Sequence, residues 1–318
     1  MLEYIAKRIS FMALSLLVTS LIIFLLLEVM PGDVVKIMLG QHATEEAVSS
    51  LRAELGLNRP LHIRYLSWIN NLLHGNLGES MYMEGVKIAP LVIRRARNSA
   101  LLAIACLFIF VPISLIFGAL GGLTDSKIAE VFISITGLFA LSIPSFVTGI
   151  FLIYIFSVAL PLLPASSNIP PGTSIFQNLE SLILPAVSVS LVMFGYVARM
   201  TQSSMEDVLQ SDYIRTARLK GIPDKYVIYK HALKNALLPS ITVIGMNIGW
   251  LFGGLIVVEK LFGYPGIGYL LVMGLQSRDI PLVEVIMLFI VTIYLLANFI
   301  TDLSYSILDP RVEITKAE

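Results

Sequence analysis

The chain has 318 residues, 56% hydrophobic and 14% charged, with a mean hydropathy of +0.83. A soluble domain carries about 25% charged residues, so a water-soluble globular fold is excluded. The net charge of zero gives no electrostatic case for nucleic acid, and the single cysteine, Cys106, lies in an apolar run and reads as packing.

Lys7 and Arg8 precede an apolar run from Phe11 to Leu27. That run is too long for a signal-peptide core and lacks a small-x-small cleavage site, so it reads as a retained first span. Six segments are long enough to cross a bilayer, near 9–30, 99–121, 132–160, 181–200, 236–258 and 282–304, since a span needs about 20 residues. The expected fold is all-α: a polytopic membrane protein with six transmembrane helices. Its divisions are an N-terminal transmembrane helix (1–30), a helical insert (31–97), a membrane core (98–304) and a tail (305–318).

An even number of spans puts both termini on one side. Lys7, Arg8, the basic connector 199–235 and Arg311 favour the cytoplasm for that side. Arg94, Arg95 and Arg97 pull the other way, but they end an insert slightly longer than the roughly 60 residues over which the rule counts well. Within the insert, Pro31-Gly32-Asp33 stops the first span. Thr44 can cap a helix that begins Glu45-Glu46 and ends at Gly56. Asn58 can cap a second, with Pro60 early in it and Gly75 past its end. Leu61, Tyr65, Trp68, Leu72 and Leu73 share a face there, suited to the bilayer surface or a partner protein. Lys87 to Arg97 reads as a basic amphipathic lead-in to span 2.

Span 3 holds Ser142-Ile143-Pro144-Ser145-Phe146, a proline that should kink or break it near mid-membrane. Pro161, Pro164, Pro170 and Pro171 stiffen the turn after it. In span 5, Gly245, Gly249 and Gly253 line one stripe, suited to close helix packing. Asn247 lies on another face, either hydrogen-bonding between helices or lining a substrate path. Glu259 and Lys260 mark the end of that span, and Phe262 to Gly268 form a Gly/Pro-shaped hairpin. Asn298 and Asp302 share a face of span 6.

The connector 199–235 carries seven Lys/Arg against four acids. Asp212 is read as the N-cap of a short helix from Tyr213 to Lys220. Gly221 takes the C′ position, and Pro223 starts a second helix from about Asp224. An ordinary basic loop explains the charge equally well.

Thr216-Ala217-Arg218-Leu219-Lys220-Gly221, followed by Pro239, resembles the cytoplasmic loop of type I ABC importer permeases, in the form of the dipeptide, oligopeptide and nickel permease family. Leu55 to Pro60, Gly75 to Ser80, Val257-Val258-Glu259 with its hairpin, Arg278-Asp279-Ile280-Pro281 and Leu308-Asp309-Pro310-Arg311 extend the resemblance over nearly the whole chain. It implies that Asp212, Tyr213, Thr216, Ala217, Arg218, Lys220 and Gly221 couple the chain to an ATPase. It implies a pore-side position for Ser142, Pro144 and Phe146. It sets Glu259, Phe262, Tyr264, Pro265, Arg278 and Asp279 at an external gate under a docked binding protein. The implied partners are a second related permease in a heterodimer, two ABC ATPase subunits, an extracytoplasmic substrate-binding protein and the lipid bilayer of the cell membrane. The cargo implied is peptide, with nickel or oligosaccharide as alternatives.

No Gly-x4-Gly-Lys-Ser/Thr occurs, so this chain is expected to bind no cofactor and to leave ATP and magnesium to the partner ATPases. His42, His62, His74 and His231 have no ligand spacing, and no Gly-x-Ser-x-Gly elbow appears, which argues against an enzyme. An ion-coupled carrier would need charges deep in the membrane. Glu28, Glu284 and Asp302 all lie toward span ends.

Overall fold

A computed structural model describes residues 2–29, 33–40, 44–124, 131, 135, 137, 142–168 and 178–308. Pro31-Gly32, His42, most of 125–141, Pro170, Pro171, the Asp302 side chain and Leu308-Asp309-Pro310-Arg311 beyond its first residue lie outside them. The described residues are helical apart from connecting turns and an isolated bridge between Glu79 and Lys87. Among the described residues, five helices are long and apolar enough to span a membrane. The expected third span falls largely outside the described residues, and its second part is a shorter apolar helix, Ser145–Ala159.

The helices are α1 (Leu2–Val29), α2 (Val34–Leu39), α3 (Glu45–Glu54), α4 (Leu61–Leu73) and α5 (Ile88–Leu123), then α6 (Ser145–Ile153), α7 (Glu180–Leu209) and α8 (Asp212–Leu219). They are followed by α9 (Asp224–Phe262), α10 (Ile267–Ser277) and α11 (Ile280–Leu308). Most spans outrun the expected bounds. The lead-in at 87–97 joins span 2 without a break, making α5 36 residues long. The chain forms two units, Met1–Asn98 with Gly266–Leu295, and Ser99–Pro265 with Leu296–Glu318.

In the first unit the insert is tied down by local chemistry. Asp33 caps α2 by accepting from the Val35 N–H at 3.1 Å. Thr44 caps α3 by accepting from the Ala47 N–H at 3.3 Å. Gly56 follows at φ +65°, and Gly75 ends α4 at φ +74°. Asn58 does not cap α4: Pro60 holds the N-cap position, because its fixed φ is already suited to helix entry. The aromatic face of α4 is covered by α1 rather than by lipid or partner alone. The Phe24 ring lies 5.4 Å from that of Tyr65 and 6.3 Å from that of Trp68. Arg64 pairs with Glu28 at 2.6 Å beside them.

The second unit is built on α5, α7 and α9. Leu102, Cys106 and Phe110 of α5 pack with Leu184, Val189 and Val197 of α7 and with Leu251, Leu255 and Val258 of α9. Small polar groups stitch this apolar core. Ser190 donates to the Cys106 carbonyl at 3.2 Å, and the hydroxyls of Thr201 and Ser240 lie 2.8 Å apart. In an apolar surround such bonds are each worth about 0.6 kcal/mol. Asn247 is not one of these stitches: its amide donates to the Val243 carbonyl of its own helix at 2.8 Å.

The tightest glycine contacts belong to a stripe on α5, not to the stripe expected in span 5. A Cβ on Gly118 would sit 2.4 Å from the Ala198 carbonyl oxygen, and one on Gly122 would sit 2.6 Å from Met205 Cβ. These residues are four apart on α5, a small-xxx-small pair against α7. Of the expected stripe, Gly245 faces Thr301 at 2.8 Å, Gly249 is buried, and Gly253 faces open space. Gly118→Ala should therefore force α5 from α7 and destabilise the purified protein by roughly 1–3 kcal/mol. Gly253→Ala should be neutral or slightly stabilising. Thermal unfolding of the two variants checks this, and equal midpoints would refute the packing argument.

Candidate functional site

The connector between α7 and α9 forms a helix, a sharp turn and a second helix. Ser211, extended at φ −70° and ψ 148°, holds the N-cap position of α8. Asp212 is thus the first helical residue and not the cap; its carboxylate still favours the positive end of the helix dipole. The helix ends in paired bonds, Gly221 N–H to Arg218 O at 3.0 Å and Ile222 N–H to Ala217 O at 3.4 Å. This pattern needs a left-handed residue, and Gly221 supplies it at φ +75°. Pro223 then opens α9.

Two residues glue α8 down. Ile214 and Ala217 are buried with Met205, Val227, Ala232 and Ala236. Ala217, expected among the coupling residues, faces inward. Asp212, Tyr213, Thr216, Arg218, Lys220 and Gly221 are exposed. Tyr213 is steadied by Asn235, whose amide donates to its hydroxyl at 2.9 Å. Arg218 pairs with Asp224 across the turn at 3.0 Å. Both partners are well exposed, so the pair contributes less than about 1 kcal/mol; its effect is to hold the guanidinium over the turn.

Leu219 was missed. It is 80% exposed at the end of α8, between Arg218 and Lys220, with Arg215 also exposed nearby. It is a single exposed apolar side chain set among three exposed cations. The signal was present in the sequence: Leu219 lies outside the face set by Ile214 and Ala217.

Pro144 breaks the chain as expected. It precedes α6 at φ −59° and ψ 143°, an extended conformation, and accepts from the Thr148 hydroxyl at 3.2 Å. Ser142, Pro144 and Phe146 are all exposed within their unit.

The residues expected at an external gate divide differently. Glu259, Phe262 and Tyr264 are fully buried in the second unit, where Ser99 donates to Glu259 at 2.5 Å. Asp279 is fully buried in the first unit. These four side chains are buried within their own units, whereas Pro265 and Arg278 are partly exposed. Asp279 caps α11 by accepting from the Leu282 N–H at 3.4 Å. It also accepts from the Ser80 hydroxyl and from the N–H groups of Met81 and Tyr82, at 3.1 and 3.4 Å. The hairpin after α9 leads into α10, a helix absent from the expected elements.

The family model described as binding-protein-dependent transport system inner membrane component matches residues 114–314, and its N-terminal companion matches residues 1–90. A putative peptide permease protein of Brucella ovis is 35% identical over 99% of this chain and 100% of its own length. The probable peptide ABC transporter permease protein y4tP of Sinorhizobium fredii is 34% identical over 97% of this chain and 98% of its own. The oligopeptide transport system permease protein AppB of Bacillus subtilis is 34% identical over 98% of this chain and 100% of its own. The crystal structure of an amino acid ABC transporter with histidines aligns at a TM-score of 0.53 and 16% identity, covering 68% of this chain and 94% of that one. That likeness bears on the fold alone.

Proposed function

Because this chain belongs to the binding-protein-dependent transport system inner membrane components, we propose that it forms half of a peptide-import path and is driven through α8. The family is a multi-pass inner-membrane component of ABC transporters, working with ATPase and substrate-binding components. Beyond that, this chain pairs with a second, related permease, and two ATPases bind ATP and magnesium on its behalf. Both termini face the cytoplasm, as does α8. Peptide is favoured over nickel or oligosaccharide because the similar permeases carry peptide names.

One observation carries the coupling assignment: α8 is anchored from beneath by Ile214 and Ala217, yet presents Leu219, Arg218 and Lys220 outward. Closure of the ATPases on ATP moves α8, and the spans switch from inward-open to outward-open. Asp212, Tyr213, Thr216 and Gly221 set the angle at which the helix is presented. The equilibrium shifts only by the difference in partner affinity for the two states.

Leu219→Glu is the test. The exposed site should leave stability within about 0.5 kcal/mol, and the chain should insert normally. The ATPase subunits should no longer co-purify, and ATP-driven peptide uptake in proteoliposomes should fall in parallel. Undiminished co-purification and uptake would overturn the coupling role. Uptake driven by an ion gradient with no ATPase present would instead favour a carrier.

A further inference from the structure

The first unit contains a cavity of about 400 Å³ lined by charged side chains of both signs, Glu28, Asp33, Arg52, Arg64 and Arg278, beside the neutral Asn58. Two of the guanidiniums are committed. Arg64 pairs with Glu28 Oε1 at 2.6 Å and lies 5.9 Å from the Phe24 ring centre. Arg52 pairs with Asp33 Oδ2 at 2.5 Å. The guanidinium of Arg278 has no hydrogen-bond or ion-pair partner among the described residues. Three cations against two anions leave the lining one positive charge in excess.

The backbone at Arg278 is a second, independent observation. It is the only non-glycine residue at positive φ among the described residues, at +54°. It ends α10, where glycine or asparagine would adopt that conformation more readily, and an arginine there costs about 1–2 kcal/mol. Asp279, the next residue, is locked by its bonds to the Ser80–Tyr82 segment. The strained residue is thereby held at the cavity wall, a placement typical of sites where side-chain position matters.

We propose that this cavity receives the charged ends of a short peptide, with Arg278 binding the terminal carboxylate and the Glu28–Asp33 side accepting the terminal ammonium. The assignment rests on the peptide reading given above and adds a contact on this chain itself. A guanidinium suits a carboxylate because two parallel N–H groups meet two oxygens. Oε2 of Glu28 is free to accept a further donor among the described residues, since only Oε1 engages Arg64. The volume lies within the roughly 300–1,000 Å³ of small-ligand sites. The mixture of signs fits a zwitterion better than a simple anion, and a concave, half-open hollow of this size fits a small ligand better than a broad protein face.

The test uses the complete permease–ATPase complex in nanodiscs, without binding protein, and radiolabelled dialanine. Saturable binding is expected, weakened about tenfold or more by Arg278→Asn, the loss appropriate to a charge-assisted hydrogen bond. Asparagine tolerates the left-handed backbone, so the variant should fold; an unchanged unfolding midpoint checks that. Dialaninamide, which lacks the carboxylate, should not compete. Equal dialanine affinity in parent and Arg278→Asn, or no saturable binding, overturns the site. ATP-driven uptake of a pool of short peptides, measured with binding protein on the same preparations, separates the two claims. Uptake without Arg278-dependent binding removes this site and leaves the peptide reading standing. Arg278-dependent binding without any peptide uptake would sink the peptide reading instead.

Discussion

Gly221→Pro is expected to cut ATP-driven uptake by at least about tenfold while the chain still inserts and assembles. Gly221 sits at φ +75°, whereas proline is fixed near −65°. Proline also removes the N–H that bonds the Arg218 carbonyl at 3.0 Å. Losing the turn and one capping bond costs about 3 kcal/mol locally, all of it at an exposed bend rather than in the core. The core between α5, α7 and α9 is untouched, so folding should survive. What changes is the angle at which Arg218, Leu219 and Lys220 are presented. Gly221→Ala, which keeps the N–H and costs about 1–2 kcal/mol, should fall between the two. Uptake and ATP hydrolysis in proteoliposomes would be measured together. Hydrolysis retained with uptake lost indicates uncoupling; normal uptake by the proline variant would falsify the role given to this turn.

Asp279→Ala should produce the largest loss of stability, roughly 3 kcal/mol or more. The carboxylate is fully buried and accepts from the Ser80 hydroxyl and three backbone N–H groups, those of Met81, Tyr82 and Leu282. Truncation leaves several donors buried without a partner, and each such group costs about 1–3 kcal/mol. Asp279→Asn keeps one acceptor oxygen and should lose less. The comparison is thermal unfolding of purified parent and variants at one detergent concentration. An alanine variant as stable as the parent would show that the Ser80–Tyr82 segment does not depend on Asp279.

The two predictions differ in how far they were legible beforehand. Gly221, Gly56, Gly75, Thr44 and Pro144 announce their roles in sequence because a turn or cap is settled by a few adjacent residues. Even there, small shifts escaped: Ser211 precedes Asp212 at the cap position, and Pro60 displaces Asn58. The part of Asp279 that ties down the Ser80–Tyr82 segment could not be read, because those partners lie about two hundred residues away, unlike the Leu282 N–H that it caps. The same holds for Glu259 with Ser99, and for Tyr65 and Trp68 with Phe24. In a membrane chain this gap is wide. Apolar periodicity marks a face as greasy without saying whether lipid or another helix covers it. That is why Gly253 of the expected stripe faces open space while Gly118 and Gly122 make the close approach.

The helix that begins just beyond Gly221 runs unbroken for 39 residues, to Phe262. At 1.5 Å per residue that is an arm of about 58 Å, with the buried Glu259–Ser99 contact near its far tip. A tilt of about 5° about one end would sweep the other through about 5 Å, roughly one helical turn. The π-helical stretch Val227–Ala232 and Pro239, both in its first half, are the places where this oar flexes and spills the stroke. A nudge at one shore of the bilayer thus reaches the opposite shore along one covalent beam, with no relay of separate parts needed between them.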